Sequence, residues 1–582
     1  MSNHPTYCIH FLCSKILEIL LIFCVFFIYG AWTVPDVNEA HYLCKAAHYW
    51  NPNYCPGDFF LSSPNAHTPF FFCFGWLTLF FSLETVAWTG RILCWFLMAV
   101  AWERISHTLL PKWGTALLTA TLFTCLTQYG AIAGEWVIGG VEGKTFAYVF
   151  VFFALAELLK NHWNRAWILL GLATMFHIVV GGWVIVATAL TWVFLTRWEQ
   201  NLPSEQKTAP RFLNMFPALI LSFLFTLPAL IPALMMDSGS SAEQISQANE
   251  ILVFKRLNHH LLLSSIIQNE KMKPLLYCFA AMIVAWNYFC CRPRYSDSDF
   301  RLRIFVYAVL TIFVAGWAIN LLMTVSPELA ASLLKYYFFR LTDIMLPLGC
   351  AFLAVQMCIF PPPKEKELSA SPTQKQKEAF SRKRKSINQK TGSVAPTFRQ
   401  RKKLIEQPGV RKFILAILIM TATLQVYQSG RRVLTPRAPR SCGAASDYWP
   451  WRDVCEKVRQ NTVPGTTFMM PYNYRTFTWF SERNVVAVWK DMPQDAEHLV
   501  EWWNRISSQY YGLIENEYGI TIYGRIKKFA DTPYDRFSQI AKKYGAVYVI
   551  ARKGEVDFYP RVYQNDVFTV WRIDGKIEAM WE

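Results

Sequence analysis

"RAWILLGLATMFHIVVGGWVIVATALTWVFLTR", residues 165–197, decides the topology of this chain. One membrane crossing takes about 20 apolar residues, so the run is too long for one span and short for two. The flanking charges resolve it. Arg165 follows Lys160, and Arg197 precedes Lys207 and Arg211. Both basic clusters favour the cytoplasmic side, so the chain must cross out and back between them. Spans are predicted over 164–177 and 179–196, with "HIVVGG" (177–182) as the turn.

The same apolar pattern recurs through the first 430 residues, in a chain that is 53% hydrophobic and 16% aromatic. Further spans are predicted at 14–33, 86–103, 113–132, 144–160, 212–235, 273–291, 302–323, 336–360 and 412–428, eleven in all. The opening "ILEILLIFCVFFIYGAW" has no small-residue cleavage site and reads as a retained anchor. "FFFCFGWLTLFFSL" (70–83) is short for a span and reads as an interfacial helix. The basic loops "WERISHTLLPKWG" (102–114) and "CCRPRYSDSDFRLR" (290–303) belong inside. The frame is then N-terminus cytoplasmic and C-terminus extracytoplasmic, with 34–68, 133–143 and 236–272 outside.

Two parts lie off the membrane. Residues 361–411 are Pro-, Lys- and Gln-rich and read as a disordered cytoplasmic loop. From Lys364 to Lys412 there are fifteen Lys and Arg against four Glu, which is eleven of the chain's net +17. A topology signal near anionic lipid accounts for that charge without nucleic acid. Residues 430–582 alternate helical and strand-like segments, such as "DRFSQIAKKYG" before "AVYVIA", and read as an extracytoplasmic α/β domain. The expected fold is an α-helical polytopic membrane protein: a 1–360 core, a last span at 412–428, and that C-terminal domain. Most of the fifteen cysteines fall in spans. Cys44 with Cys55, and Cys442 with Cys455, form two close pairs on the outer side and are expected as disulfides.

The first outer loop, "VPDVNEAHYLCKAAHYWNPNYCPGDFFL" (34–61), carries Asp36, Glu39, His41, Tyr42 and Asp58 just past a span. A carboxylate partly desolvated at the membrane surface gains basicity and suits general-base work. The second outer loop, "AGEWVIGGVEGKTF" (133–146), adds Glu135 and Glu142. His177 lies at the outer end of a span, where an ionisable side chain is a candidate for function. "FKRLNHHLLL" (254–263) offers Lys255, Arg256, His259 and His260 as a cationic patch for a phosphate. The adjacent histidines are badly spaced for a shared metal. "KYYFFRLTDIMLPL" (335–348) puts Arg340 and Asp343 three residues apart at the start of a late span, where charge is costly. No nucleotide-binding loop, HExxH or nucleophile-elbow motif is present.

A carboxylate-bearing first outer loop, juxtamembrane helices, a basic turn after the next span and an outer soluble domain resemble the layout of GT-C glycosyltransferases. Many of these have Asp-Glu-x-x-Tyr in that loop; here it is Asn38-Glu39-Ala40-His41-Tyr42. "VNEAHYLCKAAHYW", "GDFFLSS", "FGWLTL", "NTVPGTTFMMP" and "KDMPQDAEHLVEWW" also resemble an uncharacterised family of bacterial multi-pass proteins, which implies a bacterial inner membrane. The GT-C resemblance implies inverting transfer of a sugar from a polyprenyl-phosphate carrier to a glycan, lipid or protein acceptor on the outer face. Glu39 or Asp36 would be the base. Arg340, with Lys255, Arg256 or His260, would hold the carrier's phosphate. No cofactor is required by the sequence, a divalent metal has no supporting motif, and Trp449, Trp451, Trp502 and Trp503 would guide the acceptor or stabilise the tail. A transporter or flippase for a lipid-linked or small solute, or a membrane scaffold, would use the same charges without chemistry.

Overall fold

The computed structural model describes residues 4–360, 407–435, 437–440, 445–471, 473–515, 521–525, 534–555, 560–576 and 579–581. The predicted basic loop 361–411 therefore falls almost entirely outside the described residues. Each predicted span is a helix: α1 (His4–Gly30), α2 (Leu83–Leu109), α3 (Thr115–Gly130), α4 (Gly143–Leu159), α5 (Trp163–Phe176), α6 (Ile178–Glu199), α7 (Phe212–Met235), α8 (Lys273–Cys290), α9 (Asp297–Leu321), α10 (Thr342–Ile359) and α11 (Pro408–Leu434). Eight of the eleven are long and apolar enough to cross a membrane. The other three, α3, α4 and α5, have 16, 17 and 14 residues. The chain is an α-helical polytopic membrane protein with a C-terminal α/β unit.

The stretch that set the topology folds as α5 and α6 with a single residue between them. His177 ends α5, donating its N–H to Ala173 at 3.0 Å, and its Nδ1 accepts the Val180 N–H at 3.3 Å to cap α6. The hairpin closes on Gly181, where a Cβ would come within 2.3 Å of Thr174 Oγ1. α4 and α10 are buried along nearly their whole lengths, as helices apolar all round should be.

Between α1 and α2 the chain forms a juxtamembrane helix, Glu39–Trp50, and a second, Thr68–Gly75, continued by a 3₁₀ turn to Leu79. The second begins two residues before the predicted interfacial helix. Gly75 lies against the Ala46 carbonyl, where a Cβ would come to 2.4 Å, so these two helices cross closely. Phe72, Phe80 and Phe81 remain more than half exposed, as an interfacial segment requires.

Two expectations need correction. Cys44 and Cys55 are both buried thiols with no bond between them. The Tyr54 ring comes between loop and tail: its hydroxyl lies 3.4 Å from Cys44 Sγ and donates to the Thr478 carbonyl at 3.0 Å. Cys442 lies outside the described residues, while Cys455 is buried in the tail. The tenth span begins at Thr342, not 336, because Tyr337 takes a left-handed φ of 59° and residues 336–341 form a turn.

The C-terminal unit is built on a five-stranded sheet of order β2-β1-β5-β7-β6: β1 Thr467–Met469, β2 Asn484–Val485, β5 Ala546–Arg552, β6 Arg561–Gln564 and β7 Phe568–Arg572. β1 pairs in parallel with β2 and β5, and β7 is antiparallel to β5 and β6. A separate hairpin joins β3 (Tyr511–Glu515) to β4 (Thr521–Arg525). Successive β5 residues face opposite layers. Tyr548 and Ile550 meet helix α12 (Tyr448–Asn461), while Val549 and Ala551 meet α13 (Ala496–Tyr510) and α14 (Tyr534–Tyr544). Trp451 and Trp502 are fully buried in these two layers, so of the four tryptophans expected to guide an acceptor or stabilise the tail only Trp449 and Trp503 reach the surface.

The unit is fastened to the membrane helices at several points. Arg440 grips Asp36, Asn484 donates to the Pro56 carbonyl at 2.7 Å, Asp237 accepts the Ala496 N–H at 2.8 Å, and Asp58 accepts the Val485 N–H at 3.1 Å.

Candidate functional site

Asp36 and Glu39 are both buried and both saturated. Glu39 forms a two-pronged pair with Arg91 of α2, at 2.6 and 2.5 Å, and also accepts the Val141 N–H at 2.8 Å and the Asp36 N–H at 2.7 Å. Asp36 is held in the same way by Arg440, at 2.7 and 2.5 Å, and accepts from Val37 and Gly140. A carboxylate has about four acceptor sites, and each of these two has four hydrogen bonds. These carboxylates tie the first loop to α2, to the second loop and to the tail, and neither has a lone pair to give a substrate.

Asp343 is likewise structural. It does not pair with Arg340 but accepts the backbone N–H groups of Ile132, Ala133 and Glu135 at 2.9, 2.9 and 3.1 Å. It therefore shapes the loop that carries Glu135 and Glu142. His260 holds that loop from the other side by donating Nδ1–H to the Ala133 carbonyl at 2.8 Å. Gly134, at φ 69°, makes room for it: a Cβ there would stand 2.4 Å from the imidazole.

The loop so held presents a buried carboxylate pair. Glu142 Oε2 accepts the Asn38 side-chain amide at 2.9 Å, and its Oε1 lies 3.2 Å from Lys144 Nζ. Glu135 lies 3.7 Å from the same Lys144 and 3.5 Å from Arg340 Nε. Of the pair's four oxygens, only the one bonded to Asn38 receives a well-aligned hydrogen bond. Buried oxygens left open in this way are unusual and mark a place for a ligand. Burial raises the Glu142 carboxyl above its ordinary range, against the pull of Lys144. Lys144 packs 4.1 Å from the centre of the Trp136 ring, and the Arg340 guanidinium 3.8 Å from that of Tyr337. The Arg340 side chain keeps 23% of its surface exposed, so the cluster reaches the surface on its side.

The tail contributes the third wall. Trp489 and Asp491 are each pinned to the membrane part, the first by Arg256 Nε donating to its carbonyl at 3.0 Å, the second by His41 at 3.2 Å. Lys490, bracketed between them, faces Arg256, Arg475, Glu142 and Lys144. Burial, then Arg256 and Arg475, push its ammonium down to about 7. Burial also holds His67 and His259 near 4 and lowers His41 and His260, so the fixed positive charge comes from Lys144, Arg340, Arg256 and Arg475, and Lys490 adds to it only below about pH 7.

The other predicted residues divide. The Tyr42 hydroxyl meets His67 Nε2 at 3.4 Å, and the His67 ring lies 4.9 Å from His177, a row of rings along the pocket's edge. Asp58 caps a short helix and binds the tail, with burial raising its carboxyl to about 6. Lys255 is exposed and pairs with Glu250 at 3.1 Å, outside this arrangement. Sequence reasoning passed over Arg91, Arg440, Arg475 and Lys490. Arg91 had a readable signal, a charge deep within a predicted span; the other three are brought to the site only by the tertiary fold. Among the described residues, no three His, Cys, Asp or Glu side chains converge as a metal-binding group.

A family model described as a domain of unknown function, DUF6798, matches residues 450–508, the tail segment that carries Arg475, Lys490 and Asp491. No curated protein matches the chain. Among solved structures, an oligosaccharyltransferase from Archaeoglobus fulgidus, in complex with Zn and sulfate, is similar with a TM-score of 0.42 and 12% identity, over 93% of this chain and 68% of that one. ArnT from Cupriavidus metallidurans, in the apo state, is similar with a TM-score of 0.43 and 13% identity, over 97% of this chain and 98% of that one.

Proposed function

We propose that the protein is a GT-C-type glycosyltransferase that moves a sugar from a polyprenyl-phosphate carrier to an acceptor hydroxyl. The observation that carries this reading is the buried pair Glu135 and Glu142, with oxygens short of hydrogen bonds, held against Lys144 and Arg340 at the start of α4. Because Glu39 and Asp36 are consumed by arginines, the base is assigned to Glu142. Its Oε1, which faces Lys144 but receives no well-aligned hydrogen bond, takes the proton of the acceptor hydroxyl while the hydroxyl oxygen bonds to the anomeric carbon. The bond from that carbon to the carrier phosphate breaks with its electrons passing to the phosphate, and the centre inverts. Arg340 and Arg256, with Lys490 when it is protonated, face the charge that develops on the leaving group, where fixed cations have most effect. Loop charge supports placing this face on the outside of a bacterial inner membrane, with the N-terminus in the cytoplasm.

The test is sugar transfer by the purified protein in proteoliposomes, given a panel of polyprenyl-phosphate sugars and an acceptor mixture, following release of free polyprenyl phosphate. Release by the wild type that is lost in Glu142→Gln and Arg340→Ala supports the reading. Binding of the lipid-linked sugar without release from any donor would overturn it in favour of a transporter or flippase.

A further inference from the structure

We propose a second ligand site, for the headgroup of an anionic phospholipid, at the opposite end of the helices. The ends of α5, α6 and α7 and the loop 200–211 enclose an open groove of about 1020 Å³. It lies a helix away from the candidate site: α6 runs 22 residues from His177 to the groove, about 33 Å at 1.5 Å per residue. This site is independent of the glycosyltransferase reading.

The groove is cationic. Arg165, Lys207 and Arg211 line it. Its one carboxylate, Glu199, is already satisfied by the Thr208 N–H at 2.8 Å, the Thr208 hydroxyl at 2.6 Å and the Ala209 N–H at 2.9 Å. Arg165 reaches Glu157 at 3.4 Å but keeps 71% of its side chain exposed. The Lys207 ammonium meets only the Gln200 carbonyl, at 3.4 Å, and Arg211 is exposed with no ion pair among the described residues. Two cations without an ion pair among the described residues, and a third that is mostly exposed, around a cavity of this size fit a phosphodiester.

The occupant is a lipid and not a soluble anion because the groove runs on into hydrocarbon-facing surface. Trp192 lines it, anchored by its indole N–H to the Pro210 carbonyl at 2.9 Å. Its ring lies 6.2 Å from Phe212, which lies 6.3 Å from Phe216. Phe212, Phe216 and Ile220 continue down α7 about half exposed, and Leu213 is 78% exposed. A headgroup in the groove would lay its acyl chain along this strip, with Trp192 at the level where such rings favour the interface.

The experiment is native mass spectrometry of the full-length protein released from detergent containing either phosphatidylglycerol or phosphatidylcholine. Wild type should retain phosphatidylglycerol in preference. A Lys207→Ala, Arg211→Ala double variant should need about thirty-fold more of it for the same occupancy, each cation near a surface contributing about five-fold. Arg211→Lys, which keeps the charge, should bind as wild type and controls for folding. Equal retention of the two lipids, or undiminished phosphatidylglycerol binding in the double variant, overturns the proposal. If the double variant does not fold, Lys207→Gln alone is measured in the same way, with a loss of about five-fold expected.

Discussion

The Asn38 side-chain amide donates to Glu142 Oε2 at 2.9 Å, joining the first and second loops across 104 residues of chain. The GT-C pattern that this loop resembles has Asp where Asn38 stands. An Asp here would set a second carboxylate against a buried Glu142, and the amide avoids that repulsion while leaving the other Glu142 oxygen open. With Glu142 proposed as the base, the departure from the pattern goes with a change of base.

Asn38→Asp tests this directly. Two carboxylates in hydrogen-bond contact cannot both ionise easily, so one pKa rises. The acidic limb of the rate profile, which follows deprotonation of Glu142, should move to higher pH. The variant should need a higher pH than wild type to reach the same fraction of its maximal activity, as the shared proton leaves. A pH–rate profile alongside wild type is the measurement, and an unmoved limb would count against Glu142.

Glu39→Gln and Glu142→Gln should fail in different ways. The first leaves Arg91 buried without its partner, and breaking a buried pair costs about 3–5 kcal/mol, so the melting temperature should fall sharply. The second should keep the wild-type melting temperature and lose about 10²–10⁴ in turnover, as removal of a general base does. Thermal melts and turnover measured on both variants separate the roles.

Lys490 makes donor binding sensitive to pH. With the ammonium held down to about 7, it is charged below that pH and neutral above it. Affinity for a polyprenyl-phosphate donor should fall as pH rises from 6 to 8. Lys490→Arg, which stays charged throughout, should flatten the dependence. Donor dissociation constants measured across this range for both proteins give the answer.

Gly134→Ala should damage the loop through backbone and contact together, since its φ is 69° and the new Cβ would meet His260 at 2.4 Å. A shift of about 1 Å in a positioned group costs about a hundred-fold in rate, and that is the expected loss. Gly182→Ala, where nothing lies within 4 Å, should leave the rate unchanged.

The membrane architecture was legible because it is written in local composition. Apolar length and flanking arginines placed all eleven helices, including the α5–α6 hairpin that turns on one histidine. The site was legible in its loops but not in its roles. Glu135, Glu142 and Arg340 were read as outer-face residues, and they meet, while Arg256 binds the tail at Trp489. Glu39 and Asp36 looked equally available in sequence. Only the fold shows that Arg91, 52 residues away, and Arg440, 404 residues away, occupy them. The cysteine pairing failed for a related reason. Proximity in sequence brought Cys44 and Cys55 into one loop, but Tyr54 came with them. Lys490 carried no signal of its own, since its place in the pocket comes from its neighbours Trp489 and Asp491 binding Arg256 and His41.

The grip of Arg440 on Asp36 also fixes when the pocket can exist. A ribosome adding about 5–20 residues per second needs roughly 20–80 s to travel from Asp36 to Arg440, and longer to reach Lys490. Throughout that interval the first loop is in place with one of its carboxylates still lacking its arginine, and the wall that carries Lys490 has not been made. Once Arg340 has been added, the nascent chain holds Glu142 and Arg340 but no finished site. Completion waits for the soluble tail to emerge and fold back on the first loop, so synthesis itself times the moment at which the site is assembled.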